Sequence, residues 1–165
     1  MTVALVQNIA RRFAPAATQY VVLLNNGRPG GCRRSGIALF TRRESSQVIA
    51  HELGHDLFSL GDEYNNDTQN NTFVRGEPNL TETLADWNTL KWRDLVGAGT
   101  MIPTDRNTLP GGWNNNLSVG AFEGGGGNFS TGIFRPVVEC RMNQNNPPWC
   151  PVCGRQINTV LGAFR

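Results

Sequence analysis

The chain has 165 residues, 39% of them hydrophobic and 17% charged, with a formal net charge of +2. That length suits one domain, which buries roughly 70% of its unfolded surface, and the wealth of Gly and Asn reads as globular but loop-rich. The basic residues are scattered without an interleaved aromatic stripe, which argues against a nucleic-acid partner; no apolar run nears the roughly 20 residues of a membrane span, and the first residues lack the pattern of a signal peptide.

Taken in chain order, residues 3–13 carry Val3, Val6, Ala10 and Phe13 at helical spacing, and Pro15 closes that helix. Residues 19–25 are a continuous apolar, β-branched run that predicts a buried strand. A Gly/Arg loop is expected over 26–36 and a second short strand over 36–41. Ser45 and Ser46 are N-caps for a helix from about 47 to 60. Its apolar residues Ile49, Leu53, Leu57 and Leu60 form one stripe, with Gly61 as the stop. From 62 to about 136 the chain reads mostly as loop, with a short helix somewhere in 82–95 and with Trp87 and Trp92 as packing residues. Ile157, Val160, Leu161 and Phe164 predict a C-terminal helix over 152–164. Five Asn-x-Ser/Thr sequons, at Asn66, Asn70, Asn79, Asn116 and Asn128, carry meaning only in a glycosylating pathway.

The chemistry lies in His51-Glu52-Leu53-Gly54-His55. Residues four apart on a helix are neighbours, so both imidazoles can grip one ion, on the flank away from the apolar stripe. Glu52 can then reach a water held by the ion, take its proton as general base, and pass it to a leaving amine. These are the only two histidines, so a third protein ligand must be a carboxylate or a thiolate. Asp62 and Glu63 follow Gly61; Asp62 is preferred, with Glu63 as the alternative and the other of the two orienting a ligand.

The stretch HELGHDLFSLGDEY (51–64) resembles the active-site segment of the IgA-peptidase family, the igalysins of the metzincin-like clan. YVVLLNN (20–26), GIALF (36–40), EPN (77–79), KWRDLV (91–96), VGAFEG (119–124), IFRPVVECRM (133–142) and WCPVC (149–153) extend the resemblance over roughly residues 20–155. It implies an α/β (α+β) zincin catalytic domain: a twisted sheet on an active-site helix, a cleft, and a C-terminal helix. The single domain would have an upper part of about 1–61 and a loop-rich lower part of 62–165. It implies a secreted zinc endopeptidase with one catalytic Zn2+ and protein or peptide substrates. It also implies that the strand near GIALF pairs with an extended substrate. Met142 would supply the methionine turn beneath the metal, with Met101 as the competitor. The family's domain begins further upstream, so this chain reads as a fragment whose sheet could expose an edge. Phe134 stands where the family often has a tyrosine.

Cys150-Pro151-Val152-Cys153 could be half of a zinc ribbon completed by Cys32 and Cys140, a redox pair, or part of a disulfide clip. The Pro-rich loop before it and the resemblance favour the clip, Cys140 pairing with Cys150 or Cys153. The expected function is zinc-dependent hydrolysis of peptide bonds. A non-enzymatic zinc-binding remnant and a thiol-redox protein are the alternatives; oligomeric state and substrate stay open.

Overall fold

The structure is a computed structural model and describes residues 3–34, 36–70, 76–82 and 87–163. Among these residues it is mixed α and β, with three helices and two small mixed sheets. The chain divides into two compact units, Met1–Phe58 and Ser59–Arg165.

The first unit holds α1 (Val3–Phe13), β1 (Tyr20–Leu24), β2 (Gly31–Arg34), β3 (Ile37–Thr41) and α2 (Ser46–Phe58). β3 is the central strand, parallel to β1 and antiparallel to β2. A central strand is covered on both faces, which is why Ile37, Ala38 and Phe40 are buried. β1 was expected to be buried as well. It is an edge strand instead, with alternating exposure and with Val21 and Leu23 facing outward. The expected loop over 26–36 contains β2. Its Gly-Cys-Arg-Arg sequence carries no apolar alternation, because an edge strand is held by its ladder to one neighbour rather than by a buried face. α1 forms where its periodicity places it, but none of its residues is fully buried, and Leu5, Ile9 and Phe13 are exposed.

α2 packs on β2 and β3. A Cβ on Gly31 would stand 3.0 Å from Val48 Cγ1 and 3.3 Å from Phe40 Cδ1, so glycine spares β2 a tight contact with the helix. Ser45 caps α2, its Oγ accepting from the Val48 N–H at 3.4 Å. The helix ends at Phe58, and Ser59 turns the chain with φ +54. Gly61 is therefore not the stop.

The second unit contains β4 (Asn65–Asn70), β5 (Phe122–Gly125), β6 (Gly127–Arg135) and α3 (Pro151–Gly162). β6 is central, parallel to β4 and antiparallel to β5. These strands lie in the stretch expected to be loop. Their sequences are Gly- and Asn-rich, and the β5–β6 hairpin turns at Gly126, with Gly124, Gly126 and Gly127 all at positive φ. Turn glycines therefore mask the strand pattern. Over 82–95 the described residues form only two short 3-10 turns, Trp87–Thr89 and Arg93–Leu95; residues 83–86 lie outside the described residues. Trp92 is fully buried, its Nε1–H donating to the Gly120 carbonyl at 2.7 Å, whereas Trp87 is 46% exposed. Leu80, Phe129 and Ile133 pack together as a core cluster. α3 opens on Cys150 with Pro151 in its first turn. Its buried residues are Val152 and Cys153 rather than the expected stripe, and Leu161 is exposed; Phe164 lies outside the described residues.

Candidate metal centre

His51 and His55 project from successive turns of α2, and their Nε2 atoms stand 3.2 Å apart. The rings meet edge to face, with centroids 4.8 Å apart and planes at 86°. Together with Gly54 they are the buried residues of α2, while Leu57 of the expected core stripe is 38% exposed. The histidines were expected on the flank away from the packing; they are its most buried line instead. Two buried imidazoles need polar partners, and converging Nε2 atoms provide one shared point for a partner. Two nitrogens at about 2.0–2.1 Å from one tetrahedral zinc stand roughly 3.3–3.4 Å apart, so the observed separation fits a single ion. Glu52 follows the first imidazole on the same helix and is half-buried.

Asp62 and Glu63 lie near the start of the second unit, just after Gly61. The Gly61 N–H donates to Asn79 Oδ1 at 2.8 Å, and Asn79 Nδ2 donates to the Gly61 carbonyl at 2.9 Å. The Asp62 carbonyl accepts from Gly126 at 2.7 Å, the Glu63 N–H donates to the Met142 carbonyl at 2.7 Å, and the Tyr64 carbonyl accepts from Gly127 at 3.0 Å. A Cβ on Gly61 would lie 2.5 Å from Leu80 Cδ1. Gly61 is thus required for packing against the core. The sequence marks Asn79, in the EPN block, only as a sequon. It is fully buried and holds this segment in place, so it is no glycan acceptor.

Glu63 is fully buried, and its Oε1 accepts from Asn79 Nδ2 at 2.8 Å and from the Cys153 thiol at 3.3 Å. Burial, with the nearby Cys140, pushes its carboxyl well above the usual carboxylate range against the pull of the Asn79 and Cys153 hydrogen bonds. Met142 is also fully buried, whereas Met101 is 81% exposed and cannot form a buried floor.

The disulfide clip does not form. All four cysteines are free thiols, and the Cys140 and Cys153 sulfurs are 3.7 Å apart, against about 2.05 Å for a disulfide. Cys32 lies exposed on β2, in the first unit. β3 is also not the strand that receives a substrate: both of its edges are already paired, to β1 and to β2.

The model of the IgA Peptidase M64 family matches residues 2–109, and the chain belongs to that metallopeptidase family. The matched region contains α2, Asp62 and Glu63; the VGAFEG, IFRPVVECRM and WCPVC blocks lie beyond it. No curated protein matches the chain. Among the described residues no helix is long and apolar enough to cross a membrane.

Proposed function

We propose that the protein is a zinc-dependent endopeptidase in which His51, His55 and Asp62 hold one ion and Glu52 is the general base and then the general acid. The observation that carries this is the convergence of the two buried imidazole Nε2 atoms at 3.2 Å. Asp62 is supported as the third ligand in two ways. Only Ser59, Leu60 and Gly61 separate it from the end of α2, and four extended residues span up to about 14 Å, enough to fold back over the last turn of the helix. Glu63, its competitor, already accepts from Asn79 and Cys153.

Zinc in such a donor set supplies a Lewis acid that lowers the pKa of water and polarises a carbonyl. Glu52 receives the proton of the attacking water and returns it to the leaving amine. Because His51, Glu52 and His55 share the backbone of α2, the helix sets the Glu52 carboxylate at a fixed reach from the two imidazoles. A protein substrate in extended form would add to a free sheet edge. Of the two edges, β2 is the one that packs on α2, so β2 is the strand we assign to substrate pairing.

Digestion of a peptide library by the purified chain, with and without chelator, tests the reading. Cleavage is expected, and it should be lost on chelation and reduced by several orders of magnitude in Glu52→Gln with zinc retained. Full activity in Glu52→Gln would remove the proposed base. Stoichiometric zinc without any turnover would instead support the zinc-holding remnant.

A further inference from the structure

We propose that Glu63, Cys140, Cys150 and Cys153 form a second, structural zinc site, separate from the histidine pair and independent of the proposed catalysis. One donor atom from each of these four residues lies within 4.8 Å of all the others. All four side chains are at most 1% exposed.

The spacings are those of a coordination polyhedron. Sulfurs about 2.3 Å from a tetrahedral zinc stand roughly 3.8 Å apart, and a sulfur and a carboxylate oxygen roughly 3.5 Å apart. The Cys140–Cys153 sulfurs are at 3.7 Å, and Cys153 Sγ to Glu63 Oε1 is 3.3 Å. A disulfide would use two of the thiols and strand the third. A redox pair needs a partly exposed thiol, which none of the three is.

A plain apolar cysteine cluster fails for a different reason. Glu63 places a carboxylate among the thiols, and its Oε2 is buried without any hydrogen-bond partner. Such an orphan oxygen leaves its desolvation uncompensated, and a cation beside it removes that cost. Three thiolates and a carboxylate, with no open position, suit a soft, closed, tetrahedral zinc site.

The scaffold is built for it. Cys150 caps α3, and its sulfur accepts from the Cys153 N–H at 3.5 Å. Cys140 sits in a turn whose carbonyl accepts from Asn143 and Gln144, and Asn116 Nδ2 pins the loop by donating to the Glu139 and Pro148 carbonyls, each at 3.0 Å. The site ties α3 and the 140 turn to Glu63, and so fixes the backbone of the adjoining Asp62.

The test uses the full chain with His51 and His55 both replaced by Ala, which removes the catalytic ion and leaves the cysteines intact. Metal analysis should find one zinc per chain. Refolding with Co2+ should give an intense near-ultraviolet thiolate-to-cobalt absorption, lost in Cys140→Ser or Cys153→Ser. If those variants fail to fold, the cobalt spectrum of the double-histidine variant decides alone, because histidine and carboxylate donors give no such band. Absence of metal from that variant, a cobalt spectrum without the thiolate band, or a disulfide among Cys140, Cys150 and Cys153 in the native chain would overturn the proposal. None of these readouts depends on peptidase activity.

Discussion

Asn79 uses both ends of its amide on the segment that carries Asp62 and Glu63, accepting from Gly61 and donating to Gly61 and Glu63. Three buried hydrogen bonds at about 1 kcal/mol each predict that Asn79→Ala loses roughly 2–4 kcal/mol, read as a lowered urea midpoint with an unchanged slope. A wild-type midpoint in that variant would show the clamp to be idle. Asp94 gives a prediction in acid. Its hydrogen bond and charge contact with Arg155, at 2.7 Å, hold its carboxyl below the usual range. A depressed folded pKa means that the pair's contribution is present above the unfolded value of about 3.9 and fades as pH falls through the lower folded value. The Tm gap between wild type and Asp94→Asn should therefore be small, since the pair is exposed, constant above about pH 4, and absent in stronger acid. A gap that widens on acidification would contradict the assignment.

At the scale of elements, the edge strand β2 carries the substrate reading. Cys32 is its exposed thiol, whereas Cys140, Cys150 and Cys153 are buried. Alkylating the folded protein with a bulky maleimide should label Cys32 alone and raise KM for long peptides severalfold with little change in kcat. Unchanged KM would move substrate pairing elsewhere. Helices were legible in the sequence because their apolar periodicity and caps are local: α1, α2 and α3 stand within a residue or two of their expected ends. Strands were legible only where apolar residues run together, as in β1 and β3. β2, β5 and β6 are interrupted by glycine and polar residues, and their backbone pairing is a non-local fact that composition does not announce. The orientation of α2 was misread for a related reason. Its hydrophobic stripe is real, but two buried histidines outrank it at the packed line.

For the whole molecule, the family match spans the HExxH run, and the convergence of the two rings follows from the sequence because four-residue spacing on a helix is enough to bring them together. Asn79 was not readable as a clamp, since only the fold brings it to Gly61. The cysteines were read as a clip because sequence spacing cannot distinguish a disulfide from three thiols gathered around a buried carboxylate. If both proposed sites bind metal, zinc stabilises the folded state by mass action. Chelation should then lower the Tm of the intact chain, and a smaller chelator-sensitive drop should persist when His51 and His55 are replaced. Whether two imidazoles grip one ion is decided by counting zinc in the intact chain and in the His51→Ala, His55→Ala variant, both folded. The variant is expected to hold one zinc fewer per chain; equal zinc in the two proteins would rule out the shared ion.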